Sequence, residues 1–385
     1  MKIGILLPSI YASKKFHRMI YAPLSLAVSL ANQLVDFGHQ VFLYTTSDVK
    51  TKAKVIAGKN QLIPDFKSKD FIGIRLRRSK DRAFHLIKRY FELNLIRRAI
   101  FDAKEHKLDI LHSFHDLEYL DHFFDGFVDV PMVYTLHDPL PDKGTYKYFL
   151  LNQFADHNYV SISNSQRKNQ LKLNYIATVY HGIDLDDFLF WSKPKDYFLF
   201  MARIIKEKGL PTAIKTAIAT ETPLKIGSDI TPKVRESNYF KQQIKPFLNN
   251  PLINRPIFFD KDKGVKAYQE AKALLFPIEW EEPFGMVMIE AMACGTPVVA
   301  FGRGSVPEII KDGETGFVVD PKAGQEGFIK AAKKILDMPE EKYLTMRQNC
   351  RKHVEENFTS EIMAKNYEKV YSKIAKTPPL AGMKR

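Results

Sequence analysis

Short unbroken apolar runs alternate along this chain with longer segments whose apolar residues recur at helical spacing. Residues 2–7 form the first run and predict a buried strand. Leu24, Ala27, Val28, Ala31, Leu34 and Val35 then mark one face of a helix, which Gly38 stops. Residues 41–44 begin a second strand. This strand–helix–strand opening predicts a doubly wound α/β domain. Residues 184–196 are polar, contain Pro194 and read as a linker. From Tyr197 the pattern restarts. A strand over residues 197–201 feeds a helix from about Leu210, and strands follow at 223–227, 256–259, 273–277 and 298–301. Residues 324–337, 339–355 and 358–376 read as helices, and 377–385 as a loose tail. The second opening predicts a second Rossmann-like half.

A length of 385 residues is more than one core usually holds. Two domains are therefore expected, over residues 1–185 and 196–357. Hydrophobic residues make up 45%, enough for folded cores, and no stretch approaches the length of a membrane span. The formal net charge of +14 favours anionic partners: nucleotide phosphates, nucleic acid or acidic lipid. Residues 75–107 hold eleven Lys/Arg against four Asp/Glu, with Phe84, Ile87, Phe91, Leu95 and Ile96 interleaved. Two readings stay open there: a surface helix with an apolar inner face, or a peripheral contact with a membrane or an anionic acceptor. Cys294 and Cys350 are the only cysteines and have no metal-ligand spacing, which suits a reduced, cytoplasmic setting. The apolar run before Pro8 is too short for a signal-peptide core.

One stretch carries most of the chemistry: Glu282-Pro283-Phe284-Gly285-Met286-Val287-Met288-Ile289-Glu290, continued by Ala291-Met292-Ala293-Cys294-Gly295-Thr296-Pro297. Pro283 suits the first turn of a helix, and Gly295 with Pro297 ends it. Eight residues of helix would set Glu282 and Glu290 about 12 Å apart. That is the reach from sugar to ribose in a nucleotide-sugar. The N–H groups of Phe284, Gly285 and Met286 would face the diphosphate between them. The bland alternative is a surface helix with two solvated glutamates. Upstream, Arg203-Ile204-Ile205-Lys206-Glu207-Lys208-Gly209 follows a strand, where a guanidinium and an ammonium can grip a diphosphate from two sides. No Asp-x-Asp metal motif stands in this stretch, and no metal is expected.

These residues resemble the retaining family 4 glycosyltransferases. Glu282 and Glu290 match the family's E-x7-E motif, and Arg203 and Lys208 its R-x4-K donor-phosphate pair. Gly302-Arg303-Gly304-Ser305-Val306-Pro307-Glu308 and Asp312-Gly313-Glu314-Thr315-Gly316 are also similar to that family. The resemblance runs from about residue 1 to 370 and implies the GT-B architecture, two Rossmann-like domains facing a cleft. The last helix would cross back onto the first domain. Residues 109–115 and 133–138 resemble the family's central strands, and 159–165 and 178–184 the last strands of its first domain. His137 matches the active-site histidine, with the role of holding the transferred sugar; His112 and His115 are weaker candidates. Where the family usually has a Gly-Gly pair before the first helix, this chain has Tyr21-Ala22-Pro23.

The resemblance implies a metal-independent transfer from a nucleotide-sugar to an unidentified acceptor: small molecule, lipid or polysaccharide. Residues 278–285 and 303–307 resemble a bacterial UDP-glucose branch, with GDP-mannose as the other donor. Arg203 and Lys208 would neutralise the leaving diphosphate. Glu290 would bind the ribose, and Glu282 would hold sugar hydroxyls or act as a nucleophile. Two other classes stay open: a sugar-nucleotide epimerase or hydrolase on the same architecture, and a non-catalytic nucleotide-binding protein. No recognised motif points to nucleic acid, and no G-x-G-x-x-G follows the first strand, which disfavours a nicotinamide enzyme.

Overall fold

The computed structural model describes residues 1–8, 22–58, 82–115, 119–127, 129–168, 171–228 and 230–375, with backbone alone for 82–88. The chain forms two compact units. One comprises residues 1–162 and 167–179 with Ser360 onward; the other comprises 163–166 and 180–359.

Among the described residues, unit 1 contains seven parallel strands: β1 (Lys2–Leu6), β2 (Gln40–Thr45), β3 (Lys54–Ala57), β4 (Ile110–Ser113), β5 (Met132–Thr135), β6 (Tyr159–Ser161) and β7 (Tyr175–Thr178). Their order, β3-β2-β1-β4-β5-β6-β7, is that of a doubly wound sheet reversing between β1 and β4. The first helical stripe becomes α1 (Ala22–Asp36), burying Leu26, Ala27, Leu30, Ala31 and Leu34. α2 (Arg82–Glu105) buries Phe91, Leu95 and Ile96, so the basic segment has an apolar inner face. Its solvent side carries Tyr90 and Phe101, each 62% exposed, among Arg89, Arg97, Arg98 and Lys104. Residues 75–81, the side chains of Phe84 and Ile87, Tyr21 and the tail 377–385 lie outside the described residues.

The C-terminal helix, Ser360–Ile374, belongs to unit 1 and buries Met363, Tyr367 and Tyr371. Its anchorage is polar as well as apolar. His112 bonds to the Tyr371 hydroxyl at 2.6 Å and to Thr135 Oγ1 at 2.8 Å, and Thr135 meets the Tyr367 hydroxyl at 3.1 Å. A buried polar chain of this kind is stable only when its members are satisfied, and it fixes one docking register.

Unit 2 contains five parallel strands: β8 (Phe198–Met201), β9 (Leu224–Gly227), β10 (Ala273–Phe276), β11 (Val298–Phe301) and β12 (Gly316–Val319). The order β9-β8-β10-β11-β12 is a doubly wound sheet whose switch point lies between β8 and β10. Around it lie α3 (Leu210–Ala219), α4 (Lys261–Glu270), α5 (Met286–Ala293), α6 (Gly324–Leu336) and α7 (Glu340–Asn357). Phe198, Phe200, Ile214, Leu275 and Phe328 fill one core. Residues 256–259 do not form the strand that their composition predicts. Only isolated bridges, Leu224 to Ile253 and Gly227 to Ile257, run along β9. Pro256 stands between them and has no N–H to continue the ladder.

Arg347 of α7 is fully buried, and among the described residues no carboxylate pairs with it. It donates to the carbonyls of Trp191 at 2.6 Å, Gln269 at 3.0 Å and Ala271 at 3.2 Å, tying the Trp191 backbone to the turn that leads from α4 into β10. Among the described residues, no helix is long and apolar enough to cross a membrane.

Candidate functional site

In unit 2 the loops leaving β8, β10 and β11 meet at the carboxyl ends of the strands, beside the switch point. The β8 loop closes through a short 3-10 turn, Lys206–Lys208, and then Gly209 at φ +68°. A Cβ on Gly209 would stand 1.9 Å from the Pro277 carbonyl oxygen. Only glycine lets the β8 and β10 loops approach so closely. The Glu279 N–H donates to the Glu207 carbonyl at 2.8 Å and pins the same junction.

This approach brings Lys208 to Glu282. The ammonium donates to Glu282 Oε2 at 2.5 Å, and both residues are buried, at 9% and 8% exposure. The Trp280 indole N–H donates to the same oxygen at 2.7 Å, and the Lys208 ammonium lies 4.8 Å from the centre of the Trp280 ring. Pairing, added hydrogen bonds and a cation–π contact make the burial of two charges tolerable. Arg203 differs from its sequence partner. It is exposed, and its side chain makes no hydrogen bond or ion pair among the described residues.

The β11 loop holds Glu282 by its backbone. Ser305 donates its N–H to the Glu282 carbonyl at 2.9 Å and its hydroxyl to the Phe284 carbonyl at 2.7 Å. Gly304 packs so tightly that a Cβ there would lie 2.3 Å from Glu282 N and O. Glu281 receives the Gly304 N–H at 2.7 Å. One helical turn further, Glu308 accepts the N–H groups of Asn164 at 2.8 Å and Ser165 at 2.6 Å, and the Tyr180 hydroxyl at 2.8 Å.

The helix expected from Pro283 begins only at Met286. Gly285 is left-handed, at φ +85°, and a helix cannot pass through that conformation. Phe284 is buried, and the first free helical N–H groups start at Met286. Glu282 is therefore a loop residue, and the run of eight residues is not 12 Å of helix. Within that run only the five residues from Met286 to Glu290 are helical, four steps and about 6 Å of rise. Glu290 accepts the Tyr268 hydroxyl of α4 at 2.8 Å. Burial raises its pKa above the ordinary carboxylate value, and the Tyr268 hydrogen bond opposes part of that rise.

In unit 1, His137 follows β5 and stacks on Phe114, with centroids 4.8 Å apart. Burial pushes its pKa down to about 3, so the ring is neutral near pH 7. His112 belongs to the docking network of the C-terminal helix, and burial also lowers its pKa. His115 pairs with buried Glu92 of α2 at 3.1 Å. Three participants escaped the residue-by-residue reading: Trp280, Tyr268 and Ser305. Trp280 and Ser305 stand inside the family-like motifs without a role in them. Tyr268 had no signal beyond its place on a helical apolar face. Among the described residues, no group of three or more His, Cys, Asp or Glu could hold a metal ion.

Two family models match the chain: "Glycosyltransferase Family 4" over residues 25–187 and "Glycosyl transferases group 1" over residues 184–353. The N-acetyl-alpha-D-glucosaminyl L-malate synthase of Bacillus anthracis is 32% identical over 123 residues, 32% of each chain. The first curated relatives are thus matched over about a third of their length. Among solved structures, a sucrose-phosphate synthase from Thermosynechococcus elongatus superimposes with a TM-score of 0.72 at 16% identity, over 97% of this chain and 98% of that one. Anabaena HepE in complex with UDP gives a TM-score of 0.68 at 18% identity, over 97% and 100%. These likenesses show the GT-B fold.

Proposed function

The chain belongs to the family 4 glycosyltransferases, and from that premise we propose that it moves a hexosyl group from a nucleotide-sugar to an acceptor, with retention and without a metal ion. UDP-glucose is the favoured donor and GDP-mannose the second. The observation that carries this reading is the cationic pair at the switch point of unit 2: Lys208 buried against Glu282, and Arg203 exposed and unengaged on the same loop. UDP bound to Anabaena HepE, a protein of the same fold, supports a uridine nucleotide as the ligand.

In this reading unit 2 binds the donor and unit 1 the acceptor. Arg203, Lys208 and the N–H groups at Met286 face the diphosphate, where preorganised positive charge stabilises the leaving group. Gly285 lets the backbone approach, and buried Phe284 supports the turn. Glu290 accepts the ribose hydroxyls and Glu282 the hydroxyls of the transferred sugar. His137, as a neutral imidazole, is assigned to hold the transferred sugar. The bond from the anomeric carbon to the phosphate breaks, and a bond to the acceptor oxygen forms on the same face. The acceptor proton passes to the leaving phosphate. The basic, aromatic outer side of α2 is assigned to peripheral contact with a membrane on the cytoplasmic side.

The test is UDP-glucose turnover in excess EDTA, with the anomer of the released or transferred glucose followed by NMR. The α-anomer is expected first. A β-anomer contradicts retention, and activity that requires a divalent ion contradicts the role of the two cations. Turnover with no acceptor that gives an epimer would identify an epimerase.

A further inference from the structure

We infer that Trp280 is a positioning residue that decides which oxygen of Glu282 meets the donor sugar; this rests on the assignment of Glu282 to that sugar. A carboxylate offers two oxygens and about four lone pairs. Both observed bonds converge on one oxygen: Oε2 receives Lys208 at 2.5 Å and the Trp280 indole N–H at 2.7 Å. Oε1 accepts nothing from the described residues.

The backbone of Glu282 is already fixed by the Ser305 N–H and by close packing of Gly304. What remains free is rotation of the side chain. A single lysine does not remove it, because its ammonium is a point charge that satisfies either oxygen or both. The indole N–H does remove it. It is a donor only, on a flat ring whose face also carries the Lys208 ammonium at 4.8 Å. One side chain thereby orients both partners of the ion pair. It holds Oε2 inward and leaves Oε1 as the acceptor for a sugar hydroxyl. Both neighbours of Oε2 are donors, so that oxygen serves as an acceptor to each. The Trp280 N–H thus tunes recognition of the sugar, while the ring face alone, and not the N–H, touches Lys208 of the phosphate grip.

The experiment compares Trp280→Phe, which keeps the ring over Lys208 and deletes the N–H, with the intact protein. UDP affinity by calorimetry should stay within about twofold, because UDP lacks the hexosyl group that would meet Oε1. The kcat/KM for UDP-glucose should fall about 10- to 100-fold, the range of one charge-assisted hydrogen bond. In a double-mutant cycle, Trp280→Phe should have little further effect in a Glu282→Gln background. Unchanged kcat/KM, or strictly additive losses, would overturn the inference.

A second measurement needs no turnover. The chain has two tryptophans, so Trp191→Phe leaves Trp280 as the sole reporter. In that background Glu282→Gln should shift the emission of the ligand-free protein, since the indole loses an anionic acceptor. Emission that ignores this substitution overturns the inference whatever the activity shows. By contrast, an intact protein that shifts as expected yet binds neither UDP nor UDP-glucose overturns only the reading of function.

Discussion

Replacing Lys208 with Met should cost stability as well as donor binding, and the size follows from its surroundings. Lys208 and Glu282 are 9% and 8% exposed and bond at 2.5 Å. Removing one partner of a buried pair leaves an uncompensated charge, which costs about 3–5 kcal/mol. The Trp280 N–H remains on the carboxylate and places the loss at the lower end, about 3 kcal/mol. For a unit of this size that is a fall in Tm of about 6–12 °C. Glu282→Gln should lose a similar amount, because it strands the ammonium. The double variant Lys208→Met with Glu282→Gln removes both charges, and the carboxamide oxygen still accepts the indole N–H. It should recover most of the loss, with a coupling of about 2 kcal/mol or more. Arg203→Ala, at an exposed residue with no hydrogen bond or ion pair among the described residues, should stay within about 0.5 kcal/mol. Thermal melts of the ligand-free protein at pH 7 measure all four. The reasoning fails if Lys208→Met is as stable as Arg203→Ala, or if the double variant loses the sum of the single losses.

Glu290→Gln should weaken UDP yet flatten the dependence of stability on pH. The folded pKa of Glu290 is raised by burial, so above its ordinary value of 4.5 the native state holds more protons than the unfolded one and stability falls with rising pH. An unchanged slope in the variant would count against a buried Glu290. His137, lowered from 6.5 to about 3, contributes the opposite slope: its stabilisation is complete above pH 6.5 and is lost as pH falls towards 3. His137→Phe should reduce the acid sensitivity of unit 1 in that window, and melts at pH 4 and pH 7 that move in parallel would refute this. Gly209→Ala combines a left-handed residue with a Cβ 1.9 Å from the Pro277 oxygen. It should cost about 3 kcal/mol or more and separate the β8 and β10 loops. A variant within 1 kcal/mol of the parent in urea unfolding would show that these loops are not pressed together.

Much of the fold was legible because parallel α/β units write their strands as short apolar runs and their helices as stripes. The runs at residues 2–7, 197–201, 273–277 and 298–301 all became strands within a residue or two. Residues 256–259 look equally apolar, but a missing N–H at Pro256 outweighs composition there. The motif residues were legible as a set, and their placement at strand ends followed from topology. Their mutual contacts were not. Lys208 and Glu282 are 74 positions apart, and Tyr268 and Glu290 are 22 apart, so no local spacing announces either bond. The start of α5 was misjudged for a different reason. Pro283 and Gly285 both punctuate the chain, and only the positive φ at Gly285 decides between them. Trp280 reads in sequence as one more aromatic beside acidic residues; its role comes from the direction of a single N–H.

In the function proposed above, unit 2 grips a nucleoside diphosphate with its own cations. Calorimetry of UDP in excess EDTA, for the parent protein and Arg203→Ala, tests it most directly. The parent should bind without metal and the variant about tenfold or more weaker, as for one charge-assisted contact to phosphate, with uridine binding equally to both. UDP binding that vanishes in EDTA, or that Arg203→Ala leaves untouched, would contradict it.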